Sequence, residues 1–341
     1  MRAALMERGR IWVDTVPDPA PKAGEVLVKS IACGICGSDL HAARHTEDFV
    51  ATSRAVGGAF QLTTFNPVVL GHEFCAEVVD YGPGTERTFR IGTHVCSVPV
   101  VMRSDGIVPV GYSDELPGGF AEYMVLSAQL LAPVPNGASP QHAALTEPMA
   151  VGLHAVNLAR LSGNETVVVI GAGPVGLAVL MHLKQRGASP VIVSEPAHGR
   201  RALAERLGAD VLVDPSQEQL FDRAALRNRR EVVFFECVGV PGMIDQVFAG
   251  APRHARLVIV GVCLQTDHSR PLIAINKELN VQYVLGYTFD EFKHTLGLIG
   301  DGRLDVAPLI THQVGLARVA ETFEALARPT TYGKVLVEPW A

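Results

Sequence analysis

The chain has 341 residues, 48% of them hydrophobic, and a net charge of −6. At roughly 150 residues per domain this is enough for two buried cores. No basic tract offsets the negative balance, which argues against a nucleic-acid footprint or an anionic membrane surface as partner. Six cysteines are too few for a dense disulfide framework, and Met1 to Glu7 opens no apolar signal segment, so a reducing cytoplasm is the expected setting.

Residues 1–146 read as short alternating stretches, such as Val26 to Ile31 and Ala76 to Val79, set off by Pro- and Gly-containing turns at Pro17 to Pro21 and Gly82 to Gly84. The expectation is an antiparallel, barrel-like β domain. Its chemistry comes in three pieces. Cys36-Gly-Ser-Asp-Leu-His41 offers a thiolate, a hydroxyl, a carboxylate and an imidazole; Gly71-His-Glu73 adds an imidazole and a carboxylate; Thr146-Glu-Pro148 adds a further carboxylate. Cys, His and Glu together suit a borderline-soft divalent ion, above all zinc, and three protein ligands with an open position make a catalytic rather than a structural site. Cys33 and Cys36 form a C-x-x-C pair, but no second pair completes a structural site, so Cys33 is read as a buried thiol. Cys75, Cys96 and Cys263, with His45, His94, His142, His154 and His182, are read as packing residues.

From Thr166 onward the pattern changes to alternating strands and helices. Expected strands are Val167 to Ile170, Val191 to Ser194, Val211 to Val213, Val232 to Phe235, Arg256 to Val260 and Val281 to Leu285, with helices such as Arg200 to Leu207 and Met243 to Ala249 between them. This is the signature of a six-stranded, doubly wound parallel sheet. After the first strand, Gly171, Gly173 and Gly176 spell G-x-G-x-x-G. Gly171 would permit the turn, Gly173 the approach of a pyrophosphate and Gly176 close packing of helix on strand. The phosphates would lie at the helix N-terminus, where free N–H groups and the helix dipole favour anions. Glu195, nineteen residues after Gly176 at the end of the second strand, could accept the ribose hydroxyls, which argues for NAD. Val167 to Leu183 carries no formal charge, but it is too short and too rich in Gly to span a membrane.

In this order the motifs CGICGSDLH (33–41), GHEF (71–74), PGGFAEYMVL (117–126), EPMAVGLHAV (147–156), VIGAGPVGL (169–177), FECVG (235–239) and YGKVLV (332–337) resemble the zinc-dependent medium-chain dehydrogenase/reductase family over nearly the whole chain. The resemblance implies a GroES-like β-barrel catalytic domain (1–146 and 287–341) interrupted by a Rossmann domain (147–286), and the oxidation of an alcohol or polyol by NAD. Glu147, where alcohol dehydrogenases of the family carry a cysteine, makes the chain more similar to the polyol (sorbitol) dehydrogenase branch. Carried over, Cys36 and His72 are metal ligands, and Glu147 binds zinc directly or through water. Glu73 is a carboxylate beside the metal, in the exchangeable role. Ser38 and His41 form a proton relay, and Asp39 fixes the tautomer of His72. On the cofactor side the implied set is Gly171, Gly173, Pro174, Val175 and Gly176, then Glu195 at the ribose, Arg200 by the adenine, and Cys237, Val238, Val260, Gly261 and Val262 along the groove.

Some positions depart from the family pattern. Pro99 to Gly118, where many members hold a structural zinc with four cysteines, contains none, so a single catalytic zinc is expected. The stretch between Cys36 and His72 is longer than usual, and its extra part, 46–61 with Gly57-Gly58, reads as a loop over the substrate mouth or as a disordered or oligomer-contact insertion. His198, Arg200 and Arg201 could meet the 2′-phosphate of NADP, which Glu195 would repel. Two further readings stay open: a zinc-free enone or quinone reductase of the same superfamily, and a non-catalytic NAD-binding structural protein. The resemblance also implies a homodimer or homotetramer built through the Val281 to Tyr287 edge.

Overall fold

The computed structural model describes residues 1–57, 60–135, 137–222, 231–327 and 332–341. Gly58, half of the Gly-Gly pair in the insertion, lies outside the described residues. The chain divides into two compact units: Met1–Glu147 with Phe292–Pro329 and Lys334–Ala341, and a second built on Pro148–Glu291.

In the first unit a seven-stranded sheet runs, in spatial order, Ile310–Val314, Lys334–Val337, Glu25–Gly34, Glu73–Tyr81, His94–Ser97 and Leu131–Pro133, with Tyr123–Ser127 paired alongside Glu25–Gly34. All its pairings are antiparallel except that of Ile310–Val314 with Lys334–Val337, so the antiparallel expectation for residues 1–146 holds, and the one parallel pair belongs to the C-terminal segment. Glu25–Gly34 alternates buried side chains such as Val26, Val28 and Ser30 with less buried ones, as a strand with two unlike faces should. Its register against the next strand sets Gly34 opposite Glu73 and Cys33 opposite Phe74.

The insertion differs from expectation. Thr46–Ala55 is a helix, not a loop. Glu47 and Asp48 sit in its first turn, where negative charge is favoured, while Phe49, Val50 and Ser53 face inward at helical spacing. Residues 100–109, in the cysteine-free lobe, form a hairpin of Val100–Arg103 with Gly106–Pro109.

The second unit holds a six-stranded sheet, entirely parallel, in the spatial order Val211–Val213, Val191–Ser194, Thr166–Ile170, Val232–Glu236, Arg256–Ile259, Asn280–Tyr283. The chain starts at the centre, winds outward to one edge, returns and winds to the other. The strand order therefore reverses between Thr166–Ile170 and Val232–Glu236, the place where such sheets bind ligands. The doubly wound sheet foreseen from the alternation is thus present, and the strands Val191–Ser194 and Val211–Val213 match the expected bounds at both ends. The last strand is displaced at both ends, to Asn280–Tyr283, while Thr166–Ile170, Val232–Glu236 and Arg256–Ile259 each differ from expectation by one residue at one end. One face of the sheet is closed by Val168, Ile170, Ile192, Phe234, Val247 and Leu257, all nearly inaccessible. Among the described residues no helix is long and apolar enough to cross a membrane.

Candidate metal centre and nucleotide site

Two separate segments meet in the first unit. Cys36 ends the turn after the strand Glu25–Gly34 and precedes the helix Gly37–Arg44; His72 lies just before the strand Glu73–Tyr81, which Glu73 opens. One ligand atom from each of Cys36, His72 and Glu73 lies within 4.8 Å of the others. His72 and Glu73 are buried and Cys36 is partly exposed, which leaves one accessible side. A thiolate, an imidazole and a carboxylate at this separation fit a borderline-soft divalent ion.

The candidate ligands are held by a second layer. Asp39 is fully buried; its Oδ2 accepts the Cys36 N–H at 2.9 Å, and its Oδ1 lies 3.3 Å from His72 Nδ1. That approach is close enough for ion pairing but misses hydrogen-bond geometry, for Nδ1 has no bonded partner. With Nδ1 turned to Asp39, Nε2 is the ring nitrogen available to a metal. Burial alone would strip His72 of its proton, but the Asp39 charge, with Cys36, outweighs it and holds the imidazole well above its ordinary range.

Glu73 is fully buried against Lys334, whose Nζ stands 2.6 Å from Oε1 and 2.5 Å from Oε2 and also donates to the Ile35 carbonyl at 3.2 Å. Only the Oε1 contact has hydrogen-bond geometry; Oε2 keeps an unused lone pair. Burial disfavours the ammonium, but Glu73 and then Cys36, together with the more weakly acting Glu147, raise Lys334 above its ordinary value. Gly34 makes the room, since a Cβ there would lie 2.1 Å from Glu73 Oε2.

The Pro-Gly-Gly motif has a steric role. A Cβ on Gly118 would stand 2.4 Å from the Gly71 carbonyl oxygen, and one on Gly119 2.5 Å from Cys33 Sγ. Gly71 itself has φ +102, a backbone state that a side chain resists. The Gly118 and Gly119 N–H groups donate to Val69 and Gly71 carbonyls at 2.8 and 2.7 Å, so the two glycines fix the segment that delivers His72. Cys33 is a fully buried thiol, pushed up by burial and by Asp39 and Glu73.

Sequence reasoning missed two residues at this centre. Lys334 lies inside a motif that was recognised, but only a lone lysine opening the buried strand Lys334–Val337 hinted at a counterion. Tyr112 gave no signal at all. It is buried, its ring lies 5.0 Å from that of His72, and its hydroxyl is 2.7 Å from Ser38 Oγ and 3.1 Å from Asp39 Oδ1. Ser38 and His41 share the helix Gly37–Arg44 with Asp39, both half-exposed. Burial, then His45 and Arg44, lower the His41 pKa, which favours a neutral imidazole. Glu147 lies in the first turn of the helix Thr146–Leu158.

In the second unit a cavity of about 500 Å³ opens at the C-terminal ends of the central strands, lined by Gly171, Gly173, Pro174, Glu195, Arg200, Cys237 and Val238 among others. Gly171 has φ +92 at the turn, and a Cβ on Gly176 would stand 1.9 Å from the Gly171 carbonyl oxygen. Gly173, by contrast, faces open space: a Cβ there would meet nothing within 4 Å. That is a cradle suited to a phosphate at a helix N-terminus. Glu195 is 4% exposed, and both its oxygens already accept amides, Oε2 from Ala172 and Oε1 from Ala197, each at 2.9 Å. It therefore braces the glycine turn as well as facing the cavity. Arg201 is engaged elsewhere, by Asp214 at 2.8 Å and by the Glu195 and Pro196 carbonyls, whereas Arg200 has a buried Nε with no partner. Val175 is half-buried in the first turn of the helix Pro174–Gln185. The Val260 and Gly261 N–H groups donate to the Glu236 carbonyl at 2.8 and 2.9 Å, and Val262 is exposed. His182, read as a packing residue, is fully buried with Nε2 2.9 Å from the Met149 carbonyl.

Two family models match the chain: an alcohol dehydrogenase GroES-like domain over residues 22–136 and a zinc-binding dehydrogenase domain over residues 174–301. The GroES-like expectation for the first unit is thereby met. The chain is 32% identical to the (R,R)-butanediol dehydrogenase of Bacillus subtilis, covering 99% of this chain and 100% of that protein. It is 33% identical to the L-threonine 3-dehydrogenase of Pyrococcus abyssi, covering 94% and 92%. Among solved structures, a zinc-binding dehydrogenase from Sinorhizobium meliloti bound to NADP superposes with a TM-score of 0.85 at 29% identity, covering 99% of each chain. On the agreement of both family models and of relatives matched along nearly their full length, the chain belongs to the zinc-dependent medium-chain dehydrogenase/reductase family.

Proposed function

We propose that this oxidoreductase interconverts an alcohol or polyol and the corresponding ketone or aldehyde, using NAD and one catalytic zinc per chain. The observation that carries the proposal is the approach of Cys36, His72 and Glu73 to within 4.8 Å. Cys36 and His72 would hold the metal, with Glu147 completing the set directly or through water and Glu73 as the exchangeable carboxylate. When bound, the metal supplies the Lewis acidity that makes an alcohol proton easier to remove, and the nicotinamide supplies the hydride acceptor.

The chain's own residues do the rest. Asp39 orients His72. Ser38 takes the alcohol proton and hands it toward His41, whose lowered pKa keeps it ready to accept. Gly171, Gly173 and Pro174 shape the turn that receives the pyrophosphate, with Val175, Cys237, Val238, Val260, Gly261 and Val262 bounding the groove and Arg200 at the adenine. The carboxylate of Glu195 supports NAD over NADP, because each oxygen keeps a lone pair for a ribose hydroxyl and the charge disfavours a 2′-phosphate. The unpartnered Arg200 Nε is the group that would serve NADP instead. A homodimer or homotetramer is also proposed, on the exposed Tyr283 and Leu285 at the sheet edge, and a reducing cytoplasm as its place of work, where Cys36 stays a free thiol.

The test is metal analysis of undialysed protein together with a panel of secondary alcohols and polyols, with NAD, for the wild type and for Cys36→Ala and Glu147→Ala. Near-stoichiometric zinc, with turnover lost in Cys36→Ala, is expected. Zinc below about half an equivalent per chain would favour the metal-free reductase. Bound zinc and NAD without turnover on any substrate would favour the non-catalytic reading. Tighter fluorescence titration by NADPH than by NADH would overturn the choice of NAD.

A further inference from the structure

The hydroxyl of Tyr112 lies beside two groups that the proposed chemistry needs, Ser38 at 2.7 Å and Asp39 at 3.1 Å. A phenol has one proton. The carboxylate can only accept, so the arrangement that satisfies all three groups has Tyr112 donating to Asp39 Oδ1 and Ser38 donating to the phenol oxygen. Oδ1 is also the oxygen that faces His72 Nδ1, at 3.3 Å, while Oδ2 is taken by the Cys36 N–H. Asp39 is therefore gripped from two sides, by the backbone of one candidate ligand and by the side chain of Tyr112, and presents what remains to the other ligand.

Tyr112 is itself fixed by the insertion. Its ring lies 5.6 Å from Phe49 and 4.9 Å from Phe60, which stand 4.6 Å from each other, and its carbonyl accepts the Gln61 N–H at 2.7 Å. Ser53 of the inserted helix bonds both the N–H and the carbonyl of Phe60 at 2.7 Å, tying the helix to that ring. Just before Tyr112, Gly111 has φ +81, and a Cβ there would stand 2.9 Å from the Gly71 carbonyl oxygen; this close approach lets the Tyr112 ring reach His72.

We infer that Tyr112 is a positioning residue for the metal centre: its hydroxyl holds Asp39 in the orientation that aims His72, and Phe49, Phe60 and Gln61 of the insertion serve as its buttress. The inference rests on the zinc reading above and adds to it a residue outside every recognised motif. A buried carboxylate deprived of one donor rotates to recover another, and the imidazole it orients then loses its fixed aim.

The test uses the full-length, zinc-loaded protein and follows zinc release to an excess of a chromogenic chelator. Tyr112→Phe, which keeps the ring and removes only the hydroxyl, is expected to release zinc roughly tenfold to a hundredfold faster than wild type. The zinc-free forms should melt at indistinguishable temperatures, which a general loss of core stability would not allow. In an Asp39→Asn background the same substitution is expected to give no further acceleration, because the tyrosine acts through the carboxylate. Release at the wild-type rate from Tyr112→Phe, or an undiminished second acceleration in the double variant, overturns the inference while leaving the zinc reading intact. A wild type that binds no zinc overturns the zinc reading and this inference with it.

Discussion

Lys334 Nζ stands 2.6 Å from Glu73 Oε1, across 261 residues of sequence, and both side chains are buried. The pair neutralises a carboxylate that would otherwise sit uncompensated beside Cys36 and His72. Two charges removed from water cost several kcal/mol each, so the arrangement survives only because each ion has the other, with the Ile35 carbonyl adding a further bond.

Removing one partner exposes that cost. Lys334→Met is expected to destabilise the zinc-free protein by about 3–5 kcal/mol in urea unfolding, since it strands Glu73. Adding Glu73→Gln should recover a substantial part of the loss. Recovery of nothing would show that the lysine acts by packing its aliphatic stem rather than by charge.

Gly34→Ala tests the same pair sterically. The residue lies in a strand with ordinary backbone, so alanine brings no conformational penalty of its own, yet its Cβ would lie 2.1 Å from Glu73 Oε2. The carboxylate is pinned by Lys334 and cannot swing away freely. A loss of about 1–3 kcal/mol is expected, and the effect of Gly34→Ala should shrink when Glu73→Ala is introduced beside it. Equal effects in both backgrounds would place the strain elsewhere.

The glycines of the nucleotide turn should separate cleanly. Gly176→Ala forces a methyl to 1.9 Å from the Gly171 carbonyl, so it is expected to lower the melting temperature of the protein without any ligand. Gly173→Ala meets nothing. It should melt as wild type does but bind NADH at least about tenfold more weakly, because the methyl occupies the space the pyrophosphate needs. Unaltered NADH binding by Gly173→Ala would move the phosphate site off this turn.

Acid stability has an identifiable contributor in Glu165. Burial works against its charge, but the Ser162 amide, the Arg256 guanidinium and the Gly163 amide bring its pKa down from 4.5 to about 2. A depressed folded-state value means that the stabilisation is whole above the unfolded pKa and is lost as pH falls through the folded one. Wild-type stability should therefore decline between about pH 4.5 and 2 through this group. Glu165→Gln, less stable near neutrality, should show a flatter decline over that interval in denaturant titrations. Parallel curves for the two proteins would rule the group out.

The nucleotide-binding half was largely legible in the sequence because its signals are local. β-Branched runs bounded by turn residues define Val191–Ser194 and Val211–Val213 to the residue, and the three glycines fall at a fixed spacing directly after the first strand of the unit. At Asn280–Tyr283 the strand begins and ends earlier than the apolar run Val281 to Leu285 suggested. The helix Thr46–Ala55 was written in the sequence too, with acids in its first turn and Phe49, Val50 and Ser53 turned inward. The Gly57-Gly58 pair and the unusual length drew the reading to a loop instead.

The candidate metal centre divides along the same line. Cys36, Asp39, His72 and Glu73 sit in motifs whose residue types announce their chemistry, so the sequence by itself determined which side chains are candidates for ligands. Only the tertiary structure decided what surrounds them: Lys334 on Glu73 and Tyr112 on Asp39. Neither lysine nor tyrosine carries a spacing that encodes such a role, because the contact depends on which strands pair and on how an insertion packs. Local patterns record the backbone's immediate demands, whereas a buried charge is balanced by whatever partner the whole fold carries to it.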